Sequence, residues 1–255
     1  MKTFDFGKNW MDFSKKSLDG KSLKEAEKSV ECLIGKEKVK NGSFLDIGSG
    51  SGIFSLAAKK IGATKVVGFD ISENSVKTAF FNKERFAKEE RIDFQKQSIL
   101  ESGYDKWGKF DIVYSWGVLH HTGDMWKAIK NAMILVEKDG YFVIAIYNKH
   151  WTSSTWRTIK WIYNISPVII RKCMILFFYC LKKMFFRLIN KNCLEKRRGM
   201  DFYHDVVDWV GGYPYEYASK KEMIEFFKKR NFSLIKSVDT KGWTGCNEFI
   251  FKKIK

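Results

Sequence analysis

An α/β fold built on parallel strands is the class this chain predicts, on three observations. Buried-strand and amphipathic-helix patterns alternate from Phe44 to Ile146, as βαβ units require. The first strand, Phe44-Leu45-Asp46-Ile47, runs into a glycine-dense turn, Gly48-Ser49-Gly50-Ser51-Gly52, and then into a helix. The second, Val66-Val67-Gly68-Phe69, ends on an acid, Asp70, 18 residues past Gly52. Glycines let the turn bend sharply and bring backbone close to a ligand. A carboxylate at the end of the next strand suits ribose hydroxyls in nucleotide-binding folds of this kind.

The elements follow in order. Residues 1–43 are polar, with helical spacing at Leu23, Ala26, Val30, Leu33 and Ile34. Phe6, Gly7, Asn9, Trp10 and Phe13 gather aromatics and an amide around a glycine. That segment reads either as a lid over the ligand or as an aromatic anchor on the outside of the domain. Ile53, Phe54, Leu56, Ala57 and Ile61 give the helix after the turn an apolar side, and Gly62 stops it. Residues 73–88 make the next helix, and Ile92 to Lys96 a third strand that leads into Gln97-Ser98. Phe110 to Tyr114 is a fourth strand, Met125 to Val136 a helix, Asp139-Gly140 a turn and Tyr141 to Ile146 a fifth strand. Residues 219–230 are a helix, with Phe232 to Val238 and Asn247 to Lys252 the last strands.

Past the fourth strand runs Ser115-Trp116-Gly117-Val118-Leu119-His120-His121. Chemistry in open α/β sheets gathers beyond the carboxyl ends of the strands. His120 and His121 are therefore the candidate catalytic residues. One reads as a general base or as the group orienting the acceptor's nucleophile, the other as structural, and the sequence does not say which.

Residues 148–210 break the alternation. From Lys149 to Arg198 there are 12 Lys and Arg and one acid, Glu195. Ser166-Pro167 starts a helix, as N-cap and N1 proline. On a wheel Arg171, Lys172, Lys182, Lys183 and Arg187 share one side, and Ile170, Met174, Phe177, Leu181, Met184, Phe185 and Leu188 the other. The apolar side is expected to lie on the sheet domain as a substrate cap; a peripheral membrane contact through residues 167–191 is the other reading. The segment His204 to Glu216, with Gly211-Gly212-Tyr213-Pro214-Tyr215, is richer in polar and aromatic groups than a connector needs, and reads as substrate recognition. Gly242 to Glu248 is placed to reach the site from the far edge.

Composition narrows the partners. The 255 residues suit one domain with an insertion. A net charge of +17 invites nucleic acid, an anionic membrane or a phosphorylated substrate. The two prolines, Pro167 and Pro214, both lie outside the stretch after the fourth strand, and nucleic acid is not the expected partner despite the charge. The five cysteines form no C-x-x-C pair and no Cys/His cluster, so neither a disulfide scaffold nor a metal is expected. Met1 to Phe6 has no apolar run and the longest uncharged apolar run, Cys173 to Leu181, is nine residues. A cytoplasmic protein is expected, with the inner membrane face as a peripheral station.

The glycine pattern is G-x-G-x-G, whereas a dinucleotide fingerprint would put its last glycine at Ile53. Together with Asp46, Asp70, the Gln97-Ser98 slot and the strand ending at Ser115, it resembles the class I S-adenosylmethionine (AdoMet) methyltransferases over roughly residues 40–150. The resemblance implies a Rossmann-like seven-stranded sheet with an antiparallel final strand, interrupted by a helical insertion before the last two strands. It implies AdoMet as cofactor, Asp70 on the ribose, Ile71 on the adenine and the Gly48–Gly52 backbone at the methionine moiety. Asp46, Gly48, Ser49, Gly50, Gly52, Asp70, Ile71, Gln97, Ser98 and Ser115 are thus the cofactor-binding candidates. Ser98 stands where many members have an Asp toward the adenine amino group, and it can still hydrogen-bond there. Trp10, Trp116, His204, Tyr213, Tyr215 and Asn247 are the substrate-binding candidates.

Val118-Leu119-His120-His121 looks like the small-molecule branch that includes ubiquinone and menaquinone O-methyltransferases. Asp5-Phe6-Gly7-Lys8-Asn9-Trp10, the long insert, Gly-Gly-Tyr-Pro-Tyr-Glu and Gly-Cys-Asn-Glu-Phe resemble a bacterial subgroup often found with surface-polysaccharide enzymes. The expected division is a lid segment over 1–40, the AdoMet-binding core over 41–147, the insertion over 148–212, and a C-terminal helix with the final strands over 213–255. The expected activity is O-methylation of a small molecule, a sugar or an anionic phosphate-bearing one. The alternatives are a membrane-associated quinone-type enzyme and an AdoMet-binding module without catalysis.

Overall fold

The computed structural model describes residues 4–188, 201–240 and 245–254. Three helices precede the sheet: α1 (Phe6–Lys16), α2 (Gly20–Ile34) and the short α3 (Lys36–Val39). The βα alternation follows as β1 (Ser43–Ile47), α4 (Ile53–Ile61), β2 (Lys65–Asp70), α5 (Glu73–Phe86), β3 (Asp93–Lys96), β4 (Phe110–Trp116), α6 (Met125–Ile134) and β5 (Val136–Tyr147). A single 3-10 turn, Leu119–His121, lies between β4 and α6. The insertion supplies α7 (Ser153–Ile165), α8 (Val168–Leu188) and α9 (Phe202–Gly211). Then α10 (Lys220–Lys228), β6 (Phe232–Val238) and β7 (Cys246–Lys253) close the chain.

The seven strands order as β3-β2-β1-β4-β5-β7-β6. β1 to β5 pair in parallel, and β7 runs antiparallel between β5 and β6. This is the seven-stranded fold the resemblance implied. Strand alternation assigns side chains to two layers. Phe44, Ile112, Tyr114 and Val143 face α2, α4 and α5, while Leu45, Ile47, Val113, Phe142 and Ile144 face α6 and α10. Both layers are apolar because both faces are covered by helices. The topological switch falls at β1, whose neighbours are β2 on one side and β4 on the other. A crevice opens there at the carboxyl ends.

β5 begins earlier than expected. Asp139, at φ +61, takes a positive-φ kink and Gly140 passes within the strand, so the expected turn is an irregularity where β4 and β5 shift register between Phe110 and Ile112. The insertion makes its own small core of Tyr163, Ile175, Val206 and Val210, on which Phe4, Phe178 and Trp209 pack. Residues 189–191 of the segment read as a membrane contact, and 242–244 of the loop expected to reach the site, lie outside the described residues.

Candidate active site

The glycine turn is held from below by the end of β2. Gly48 N and Ser49 N donate to the Phe69 carbonyl at 2.8 and 3.1 Å, and Gly50 N donates to Asp70 Oδ2 at 3.0 Å. Gly48, Gly50 and Gly52 sit at φ +75, +54 and +75, a region that side chains with a Cβ enter only under strain. Space forbids a Cβ as well: one on Gly48 would fall 2.3 Å from a Val118 methyl, and one on Gly50 3.0 Å from the Trp10 indole. Val118 thus seats the segment bearing the histidines directly against the turn. Gly52 caps α4 without a side-chain bond, and in the first turn of that helix the Ser55 amide donates to Asp46.

Two carboxyls flank the turn. Asp70 accepts from Ser72 N at 2.8 Å as well as from Gly50 N, with the Ser75 hydroxyl also beside it, and a carboxylate has room for further hydroxyl donors. Asp46 is buried and accepts from Ser55 Oγ at 2.7 Å. Burial pushes its pKa up to about 7, with the charge of Asp70 adding to the effect. Three further features fit an AdoMet-sized ligand. The hydroxyls of Ser49 and Ser51 are buried with no hydrogen-bond partner among the described residues, and Ile71 holds an apolar side chain 67% exposed immediately past Asp70. Ser98 Oγ accepts from Leu100 N at 3.2 Å, and Gln97 braces the following turn through the Ser98 and Ser102 carbonyls at 3.0 and 3.1 Å. Ser115 is fully buried and donates to the Ile47 carbonyl at 3.1 Å, tying β4 to β1 rather than facing the crevice.

The two histidines differ sharply. His120 is wholly buried, with its ring 3.9 Å from that of Tyr147. Its Nδ1 lies 3.3 Å from Tyr147 N, and the ring also meets the Ala145 backbone. His121 Nδ1 lies 2.6 Å from the Pro214 carbonyl oxygen. A carbonyl only accepts, so Nδ1 donates and the lone pair is on Nε2. A Cβ on Gly212 would stand 3.1 Å from that nitrogen, and glycine keeps it clear. Burial, with the charge of Lys160, lowers His121 to about 3; burial also lowers His120, with His121 and Lys160 adding to it.

α1 folds over this crevice. Phe6 lies 4.8 Å from the His121 ring and Trp10 lies on Gly50. Gly7 presses so closely on Ser72 that a Cβ would fall 2.1 Å from its hydroxyl. Ser14 Oγ donates to Asn82 Oδ1 at 2.5 Å, and Asn82 Nδ2 donates to the Ser51 carbonyl at 2.8 Å. Helix, α5 and glycine turn are thus joined by one chain of bonds.

Several expected substrate contacts are placed otherwise. His204 has both ring nitrogens on carboxylates, Asp201 at 2.5 Å and Asp12 at 3.2 Å, so it clamps α9 to α1 and offers an acceptor nothing. Asn247 donates to Asn148 Oδ1 at 3.0 Å and accepts from Thr240 N at 2.9 Å, which uses both ends of its amide. Trp116 donates to Glu248 Oε1 at 2.8 Å, fastening β4 to β7. Tyr215 is buried 4.8 Å from the ring of Tyr147, whereas Tyr213 is half-exposed and its carbonyl accepts from Phe4 N at 3.1 Å. The expectation that the apolar side of α8 lies on the sheet domain fails: Phe177, Leu181, Met184, Phe185 and Leu188 are exposed. The insertion reaches the crevice through α7 and α9 instead, because α9 carries the aromatic and polar groups that meet α1.

Lys160, on α7, escaped sequence reasoning. Its side chain is buried, donates to the Trp209 carbonyl and lies 4.5, 5.1 and 5.3 Å from the rings of Trp209, Tyr215 and Tyr147. Burial lowers it to about 7. Asp208 nearby is raised to about 7 by burial and accepts from Asn9 Nδ2 at 2.7 Å. A lysine in an amphipathic helix carries no sequence signal of burial; Asn9 in its aromatic setting was the only hint.

A seven-stranded sheet of this order with a glycine turn, a terminal acid on β2 and a ligand-facing crevice defines the class I AdoMet-dependent methyltransferase fold. The chain belongs to the methyltransferase domain family, which matches residues 24–237, and S-adenosyl-L-methionine is the methyl donor of that class. It is 34% identical over 128 residues to a ribosomal protein L11 methyltransferase of Staphylococcus haemolyticus, covering 48% of this chain and 37% of that one. It is 34% identical over 122 residues to a ubiquinone biosynthesis O-methyltransferase of Pelagibacter ubique, covering 48% and 49%. The chain thus spans half or less of the length of these two relatives. The fold is also that of the Synechocystis magnesium protoporphyrin IX methyltransferase crystallised with bound SAH, with a TM-score of 0.57 at 17% identity over 91% of this chain and 83% of that one.

Proposed function

We propose that the protein moves a methyl group from AdoMet to a hydroxyl oxygen of a small molecule, with His121 taking the proton that the oxygen gives up. The observation that carries this reading is the fixed tautomer of His121. Its Nδ1 is spent on Pro214, so the basic nitrogen is Nε2, kept clear by Gly212. A low pKa makes the imidazole a weak base but keeps it unprotonated across the physiological range. That suffices where the proton leaves late, as the new bond to carbon forms. AdoMet supplies an already activated sulfonium methyl when bound. Asp70 and the amides of the glycine turn would hold it, Ile71 would lie on the adenine, and Trp10 on α1 would exclude water. His120 takes the part of a packing residue in this reading, wholly buried with its ring against that of Tyr147.

A small, sugar-like or phosphate-bearing acceptor from surface-glycan synthesis is the finer reading. It is supported by the N-terminal and Gly-Gly-Tyr-Pro-Tyr-Glu segments. A quinone-type acceptor is the second reading, supported by the Pelagibacter relative's printed activity. AdoMet carrying a labelled methyl group, incubated with host extract split into polar, lipid and protein fractions, separates them. Label in the polar pool is expected; label in lipid favours the quinone, and label in protein overturns the small-molecule reading. His121→Ala is expected to lower turnover on the labelled acceptor about 100-fold or more while donor binding persists. Full turnover in that variant would remove His121 from the mechanism.

A further inference from the structure

The α7–α8 hairpin presents an apolar surface that nothing among the described residues covers. We propose that it docks on an anionic lipid bilayer, lying in the plane of the interface. One side of α8 is firmly seated: Phe178 meets Trp156 at 5.4 Å, Tyr179 and Phe186 meet Phe202 at 5.2 and 5.6 Å, and Lys182 pairs with Asp205. The opposite side is therefore held outward by a rigid contact. It carries Ile169, Leu176, Phe177 and Leu188, exposed by 74, 64, 62 and 74%. The hairpin's corner adds Ile165 and Val168. More than half of the large exposed apolar side chains among the described residues belong to this one segment, whereas scattered single ones are ordinary.

Charge selects the occupant. Between Trp151 and Leu188 there are seven Lys and Arg and no acid; with Lys160 buried and Lys182 paired with Asp205, five remain. Lys172 and Arg187 are exposed and Lys183 half-exposed along one flank of the apolar side. A basic flank beside an apolar side is the pattern of helices that lie in an anionic interface. A second copy of the chain is a poor match, because each would bring a net charge of +17 to the contact. Among the described residues no helix is long and apolar enough to cross a membrane, so α8, 21 residues long, lies along the surface for about 30 Å.

The test is co-sedimentation of the full chain with phosphatidylcholine vesicles, with and without phosphatidylglycerol. Binding to the phosphatidylglycerol vesicles is expected. The triple variant Phe177→Ser, Leu181→Ser, Phe185→Ser removes exposed apolar groups and leaves the charge unchanged. It is expected to lower partitioning roughly tenfold or more, with circular dichroism and AdoMet binding as controls that the fold persists. Absence of vesicle binding by the wild type would overturn the proposal. So would equal binding by the triple variant, which would mean diffuse charge attraction alone. A dimer in light scattering that the same variant converts to monomer would assign the surface to a second copy instead.

Discussion

Asp46 and Asp70 share one glycine turn, and their coupling makes donor binding depend on pH. Asp46 is raised to about 7 by burial and by the neighbouring charge. A cationic donor above the turn favours the ionised carboxylate, so binding below pH 7 drives a proton off Asp46. Donor affinity is expected to rise with pH up to about 7 and then level off, as calorimetry from about pH 5.5 to about pH 8 would show. Asp46→Asn should flatten that profile. His121, depressed to about 3, should contribute no limb to it. Gly50→Ala forces a Cβ into positive φ and onto the Trp10 ring. It is expected to cost about 1–2 kcal/mol in urea unfolding and to weaken the donor along with it.

α1 is held to its neighbours by polar ties as well as by Phe13 and Trp10, which pack into the core. His204 on α9 bridges Asp201 and Asp12, and its pKa is raised above 6.5: burial lowers it, but the bonds to the two carboxylates outweigh that. Its contribution to stability is complete below 6.5 and is lost as pH climbs through the raised value. The carboxylates work in the opposite sense. Asp201 is held down at about 2 and Asp12 below 3.8, so their share is complete above 3.8 and is lost as pH falls through the lowered values. The tie is therefore strongest between about pH 4 and about pH 6.5. His204→Ala is expected to cost about 1.5–3 kcal/mol in urea unfolding inside that window and clearly less at a pH above the raised value. An equal loss at both values would show that packing against Phe13, rather than charge, carries the contact.

At the scale of the molecule, two apolar layers sandwich the sheet, and the α10 side is the more aromatic. Phe227 stacks on Phe251 at 3.8 Å with an interplanar angle of 8°, and both are fully buried. Phe227→Ala is expected to lower stability by about 3–5 kcal/mol, measured by urea unfolding, because α10 and β7 lose the side chain that joins them. The sandwich itself was legible in the chain. Strand alternation, the glycine turn and Asp70 at its spacing are local patterns, each set by backbone geometry within a few residues; Ser166, expected to cap α8, instead closes α7 with its hydroxyl on the Ile162 carbonyl, and α8 starts at Val168. Positive φ at Gly48, Gly50 and Gly52 follows from the turn, and so does the family. Other facts required distant segments to meet. The sequence placed His120 and His121 side by side, but only Pro214, 93 residues away from His121, decides which nitrogen is basic. His204 and Asn247 looked free and are consumed by Asp12 and Asn148, 192 and 99 residues distant. Lys160 carried no signal in the sequence and is caged by three rings from other elements. The helical wheel found the two sides of α8, yet which side faces out depends on what α9 offers it. Periodicity is a property of neighbours along the chain, whereas hydrogen-bond saturation and exposure belong to neighbours in space.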